Sequence, residues 1–322
     1  MDDIDRMMIL IVCEDPRISV KDLAKKLGVS RQVAHHRIQA LAKMGVFKKM
    51  TAEISFFSIG QVLVRIWGVS KSRAIEETLD RLGYSEYSSD ACVEGGNEVS
   101  VLGCLPDISH LDDYVAFVRR VAEMPDPTVG ILDFDDGINP EWMDGMYRVR
   151  MPEFRKPSPL DYRIVASLRD DARKPLAKIA GELGVSIKTV RRHLEALRSD
   201  GILDYHQVGD LTSGEDMLTS VYMNLRKGAD KLKVGKHLLS LDPVHLQYVR
   251  SFSNLPNLLY CCINSQKMSE IRRLLKAISE DEDIVSATPN LVYMERVYTP
   301  YDIKELLVKG KGNRGSARPT KP

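Results

Sequence analysis

Residues 27–46 read L-G-V-S-R-Q-V-A-H-H-R-I-Q-A-L-A-K-M-G-V, and residues 183–202 read L-G-V-S-I-K-T-V-R-R-H-L-E-A-L-R-S-D-G-I. The second stretch repeats the first at a shift of 156 with no gap, so that Gly28 falls on Gly184, Ser30 on Ser186, Leu41 on Leu197 and Gly45 on Gly201. The same shift carries Ile4-Asp5 onto Leu160-Asp161 and the apolar run Val62–Val69 onto Leu218–Leu225. A repeat held in register over so long a span points to one unit of about 150 residues occurring twice.

Each unit opens with helices. Ile4, Met8, Ile11 and Val12 recur at helical spacing until Glu14-Asp15-Pro16 interrupts them. Ser19 is placed to cap a second helix carrying Leu23, Ala24 and Leu27, and Gly28 supplies the turn that ends it. Ser30 caps a third helix with Ala34, Ile38 and Leu41 on its inner face. In the second unit Ile179, Ala180, Leu183, Gly184, Ser186, Val190, Leu194 and Leu197 repeat the scheme. Two helices about a tight glycine turn make a helix-turn-helix. Val46–Ile54 and Ile202–Val208 are apolar enough to form a short wing after each.

The period then changes. Val62–Val69 reads as a strand, 74–82 as a helix, 86–93 and 98–105 as strands, 111–122 as a helix and 129–134 as a last strand. The second unit offers 218–225, 232–239, 245–252, 258–263, 268–278 and 291–298 in the same order. The order β-α-β-β-α-β is ferredoxin-like. The fold class expected is therefore α+β, two copies of a winged helix-turn-helix followed by a ferredoxin-like domain. The boundaries expected are 1–54, 55–136, a Pro/Gly-rich linker 137–159, 160–209, 210–307, and a basic, acid-free tail 308–322 expected to be disordered.

Charge is segregated although the net charge of the 322 residues is only +1. Residues 20–50 carry eight Lys or Arg against Asp22 alone, and residues 172–204 carry seven against four acids. Residues 84–146 carry two arginines against fourteen acids. Positive charge thus gathers on the helical triads, where phosphates would lie. With the inner face assigned, Arg31, Gln32, His35 and His36 point outward near the third helix's N-terminus, and Lys188, Thr189, Arg191 and Arg192 hold those places in the second copy. Long donors there suit base edges in the major groove of double-stranded DNA. Five cysteines with no C-x-x-C pair argue against a secreted disulfide framework, and no apolar run spans a bilayer, so a cytoplasmic protein is expected.

The order of elements, opened by I-D-R or L-D-Y-R and passing through L-G-V-S…L…G-V, resembles the Lrp/AsnC (feast/famine) family of transcriptional regulators. Gly45 to Lys49 and on through Ile59-Gly60 resemble that family's wing and connector. The resemblance implies a DNA-binding regulator rather than an enzyme, with no metal or cofactor. Ser30, Arg31, Gln32, His35 and His36 would lie at the bases, Arg37, Lys48 and Lys49 near phosphate, and Ser186, Lys188, Thr189, Arg191, Arg192 and His193 in the matching places. Such regulators pair their α/β units, which here implies pairing within one chain, with homo-oligomers built upon it. Many bind amino acids between those units. Of the glycine and aspartate that shape that effector site, copy one offers only the partial match Gly95, Gly96 and Glu98, and copy two's 253–257 has neither.

The alternative is an enzyme similar to the siroheme decarboxylases of haem biosynthesis, which share the Lrp-like architecture, sometimes as fused pairs. It would need basic residues for propionates and a histidine in the α/β units, where His110, His237 and His245 stand. Cys261-Cys262 alternate across a strand and are read as small buried hydrophobes rather than joint metal ligands. Trp67 and Trp142 are read as packing residues, and Asp133, Asp135 and Asp136 as a solvated linker edge.

Overall fold

A computed structural model describes residues 2–43, 49–54, 61–133, 157–208, 217–242 and 245–298. Helices α1 (Asp3–Glu14), α2 (Val20–Leu27) and α3 (Arg31–Lys43) form the first triad. Asp2 caps α1 in a capping box with Asp5, and Ser19 caps α2 through the Asp22 N–H. Gly28, at φ 66°, adopts the left-handed conformation that ends α2, and Gly184 repeats it at φ 67°. Met8, Val12, Leu23, Ala34 and Leu41 fill the triad's core. Strand β1 (Lys49–Ile54) follows.

The second triad comprises α6 (Pro159–Leu168), α7 (Leu176–Leu183) and α8 (Ile187–Ser199), followed by β6 (Leu203–Val208). The limits of α7 and α8 are those of α2 and α3 moved by 156. Ile164, Leu168, Ile179, Val190 and Leu197 form its core.

The described part of each wing is one strand, and it pairs with its counterpart rather than within its own unit. β1 and β6 run antiparallel, with Met50 opposite Gln207 and Thr51 opposite His206. Shifting the first pair by 156 gives the second, so the ladder is self-complementary about a local two-fold axis, as in an isologous interface. Met50 and Ala52 are buried in the second triad's core. Arg17 donates to the Lys174 carbonyl (2.6 Å), and its counterpart Arg173 donates to the Pro16 carbonyl (2.7 Å). Arg198 adds an ion pair to Asp15 at 3.1 Å. These bonds fix one helix-turn-helix against the other.

The first α/β unit contains β2 (Val62–Val69), α4 (Ile75–Leu82), β3 (Ser88–Glu94), β4 (Glu98–Leu105), α5 (Leu111–Val121) and β5 (Thr128–Asp133). Its strands lie in the ferredoxin-like order β5-β2-β4-β3. The second contains β7 (Met217–Leu225), α9 (Lys231–Leu241), β8 (Leu246–Phe252), β9 (Leu258–Ser265), α10 (Met268–Ser279) and β10 (Ile284–Val292), in the order β10-β7-β9-β8. The last strand departs from the sequence expectation of 291–298. That stretch holds the end of β10 and a separate strand, β11 (Met294–Val297), which crosses to pair with β3 of the first unit. β10 is mostly exposed and contains Pro289, which weakens its apolar signal; Pro is tolerated on a strand at a sheet edge.

The two sheets join a second time where β5 meets β8, with Leu132 opposite Phe252. A side chain at Gly130 would place its Cβ 2.3 Å from the Phe252 ring, so this approach requires glycine. One face of each sheet lies under its own helices. Val64, Ile66 and Val101 pack with Leu79 and Val118, and Val221, Met223 and Cys261 pack with Leu238 and Leu274. The other faces meet through Leu63, Trp67, Cys104, Leu132, Tyr222, Phe252 and Tyr260. Trp67 stacks on Tyr222 with centroids 5.2 Å apart, the packing role expected of it. Cys261 and Cys262 are both buried and fall in different clusters, one under the helices and one between the sheets. Residues 134–156, with Trp142 and most of the linker, and the tail lie outside the described residues.

Candidate nucleic-acid interface

The N-terminal turns of α3 and α8 gather the polar side chains singled out from the sequence. Arg31, Gln32, His35 and His36 are exposed, as are Lys188, Arg191 and Arg192, while Thr189 is half-buried. Ala34 and Leu41, and in the second copy Val190, Leu194 and Leu197, are buried, so the helical period turns the polar residues outward. Ser30 and Ser186 act as caps: their hydroxyls accept from the backbone N–H groups of Val33 (3.2 Å) and Thr189 (3.0 Å). His35 Nε2 lies 3.1 Å from Gln39 Nε2 on the next turn. Among the described residues, no hydrogen bond or ion pair engages the side chains of Arg31, Gln32, His36, Lys188, Arg191 or Arg192. Their donors are available to a ligand. Lys48 lies outside the described residues, and of Lys49 the structure describes only its place at the start of β1.

Arg37, expected at phosphate, and His193, which replaces it at the matching position, make internal contacts. Arg37 pairs with Asp5 (2.7 Å) and Asp2 (2.8 Å) at the start of α1. His193 Nδ1 lies 2.7 Å from Asp161 Oδ1, and Asp161 is the shifted counterpart of Asp5. The position therefore ties the recognition helix to the first helix in both copies, with Arg answering Asp in one and His in the other. Asp2 is held below the usual carboxylate range: its slight burial works the other way but is outweighed by the Asp5 N–H and Arg37. The signal was legible, since the repeat carries the pair Asp5/Arg37 onto Asp161/His193.

Gly95 and Gly96 form a short 3-10 turn between β3 and β4, and Glu98 opens β4 beside it. Glu98 accepts from the Asn290 amide at 2.9 Å, and the same amide reaches the fully buried Glu94 at 3.3 Å. Burial, and then the neighbouring Glu94 charge, raise the Glu98 carboxyl, against the Asn290 bond that lowers it. Behind this pair lies the buried Arg65, 3.7 Å from Glu94 and 4.2 Å above the Tyr260 ring. Sequence periodicity alone did not single out Arg65, because an arginine on a strand reads as solvent-facing until a second sheet covers it.

The three histidines of the α/β units each lie beside an acid. His110 sits 3.2 Å from Asp107, and His237 lies 3.9 Å from Asp281. His245 is buried with Asp242 (2.9 Å) and Glu270 (3.5 Å). Asp242 is held below its usual value: burial opposes this, and His245 and Arg273 outweigh it. Beside this cluster Arg6 of α1 donates to the Asn264 carbonyl at 3.0 Å and docks the first triad on the second α/β unit. Among the described residues no group of three acids, histidines or cysteines is arranged to hold a metal ion, and no helix is long and apolar enough to cross a membrane.

The sequence pattern of winged helix-turn-helix DNA-binding domains matches residues 1–48 and again 158–204. An uncharacterised HTH-type transcriptional regulator of Pyrococcus furiosus is 34% identical over 85 residues, covering 25% of this chain and 57% of that protein. The HTH-type transcriptional regulator LrpA of Pyrococcus horikoshii is 27% identical over 100 residues, covering 31% of this chain and 71% of that protein. The chain thus spans little more than half the length of the first such relatives. Among solved structures, the siroheme decarboxylase NirDL is similar over 94% of this chain and 98% of its own, with a TM-score of 0.58 and 15% identity, a likeness of fold. Two triads that match the HTH pattern, each leading into a ferredoxin-like unit, and relatives that include LrpA make the chain similar to regulators of the Lrp/AsnC family.

Proposed function

We propose that this chain is a sequence-specific DNA-binding transcriptional regulator that carries two non-identical readers. The observation that carries this reading is the pair of recognition helices whose outward donors have no internal partner among the described residues. The β1–β6 ladder and the Arg17 and Arg173 bonds hold the two triads about one local two-fold axis. A dimeric helix-turn-helix protein presents its readers in that way to two half-sites, and here one chain does so. The joined sheets serve as the pairing module within the chain, and homo-oligomers can build on their free surfaces. The Gly95–Glu98 turn is the place to look for a small effector, although its acidic surroundings differ from the family pattern.

The second reading, a siroheme decarboxylase-like enzyme, is favoured by one observation, the end-to-end likeness to NirDL. At 15% identity that likeness speaks for the fold. Retention of unpartnered basic side chains on both recognition helices supports the regulator, and we propose that the chain is not an enzyme. Gel shifts on genomic fragments, run beside absorbance of the protein incubated with siroheme, separate the two. Retarded fragments and an unchanged siroheme spectrum are expected. Conversion of siroheme without any DNA retardation would reverse the assignment.

A further inference from the structure

We infer that Val33 and Ile187 read the 5-methyl groups of thymines, one in each half-site, at different offsets from the neighbouring base contacts. This inference rests on the DNA-reader proposal above and adds a specificity that the donors alone do not supply.

Both side chains are large aliphatics left open at the first turn of a recognition helix, Val33 at 42% exposure and Ile187 at 46%. Neither is explained by helix formation, since β-branched residues are less favourable there than the alanine, leucine or glutamine also found in these helices. Nor does the repeat require them. Val33 stands where the second copy has Thr189, and Ile187 stands where the first has Arg31. The triad cores are already filled by Ala34 and Leu41 and by Val190, Leu194 and Leu197.

Val33 borders an open hollow shared with Gln32, His36, Ala40, Leu41 and the Asp5–Arg37 ion pair. Leu41 is fully buried, and the Arg37 charge is answered by Asp5 and Asp2. Such a recess suits an apolar group better than a phosphate. Of the four bases, thymine is the one that presents a methyl in the major groove, where aliphatic side chains contact it. Gln32 and His36 flank Val33 on one helix, and Lys188 follows Ile187 on the other, so each methyl contact has a hydrogen-bonding neighbour. The positions of Val33 and Ile187 in the repeat differ by two residues, about 200° around a helix. The two thymines therefore fall on opposite sides of their recognition helices.

The test begins with duplexes selected from a random pool by the full chain. Each thymine of the best duplex is then replaced by uracil, which differs only in lacking the methyl. We expect one thymine in each half-site whose demethylation weakens binding about three- to five-fold, the scale of one buried methyl group. Val33→Ser should remove the sensitivity at one of these thymines and Ile187→Ser at the other. An enriched duplex indifferent to every uracil, or losses that persist unchanged in both variants, would overturn the inference while leaving the reader proposal standing. A pool that never enriches would overturn both.

Discussion

At the scale of single residues, similar side chains on α3 and α8 do different work according to what lies behind them. Arg31 and Arg191 have no internal partner among the described residues, whereas Arg37 is held by two aspartates. Replacing Arg31 or Arg191 with alanine is expected to lower specific affinity by about 1–3 kcal/mol and to relax base preference locally, as read by titration on a selected duplex. Lys48→Ala should instead weaken binding to all sequences alike and flatten its salt dependence. Arg37→Ala is expected to act on folding, lowering stability by about 1–2 kcal/mol because the part-buried Asp5 loses its ion pair, with the salt slope of DNA binding unchanged. Glu98 offers a pH test. Its carboxyl is raised in the folded state by burial and by Glu94, so its ionisation opposes folding. That cost is absent below the unfolded value of about 4.3 and is complete once the pH has risen past the folded one. Glu98→Gln should accordingly raise the melting temperature at pH 7, and the gain should vanish as the pH falls below about 4. A variant less stable than the parent at pH 7 would contradict the assignment.

At the scale of elements, the repeat made most of the fold legible. The two recognition helices share their limits at a shift of 156, as do the helices before them, because caps and left-handed glycines are local signals that sequence states directly. The exposed donors of α3 and α8 were legible for the same reason. Pairing between units was not legible, since nothing in the alternation of a strand says which distant edge it will meet. Thus β1 and β6 read as separate wings, and 291–298 read as the last strand of the second unit although it includes β11, which crosses to the first. The contacts of Arg37 and His193 with Asp5 and Asp161 join residues 32 apart in sequence, beyond the reach of local periodicity. Cross-unit packing has a direct consequence. Ala52 follows the first recognition helix in sequence but is buried in the second triad's core. Ala52→Asp should destabilise that second triad by about 2–4 kcal/mol, the cost of an unpaired polar group or charge in an apolar core. Hydrogen exchange would then show faster exchange in α6 and α8, with α2 little changed. Protection lost only in the first triad would contradict the swapped packing.

At the scale of the whole molecule, the two helix-turn-helix triads form one assembly. The β1–β6 ladder and the reciprocal Arg17 and Arg173 bonds tie the triads to each other, while the joined sheets tie the α/β units. A frame so held fixes the distance between the half-sites it can engage, about one helical turn of DNA or a multiple of it. Inserting or deleting a few base pairs between the half-sites should therefore abolish specific binding, rather than being absorbed by a flexible joint. The proposed readers differ, Arg31-Gln32-Val33 in one copy matching Ile187-Lys188-Thr189 in the other, so the half-sites they choose should differ too. The most direct measurement is selection from random duplexes by the parent chain and, separately, by its Arg31→Ala and Arg191→Ala variants. An asymmetric site is expected, with each variant losing preference in a different half. A perfect palindrome degraded equally by either variant would show that the readers are supplied by separate chains, and would contradict two readers acting together within one.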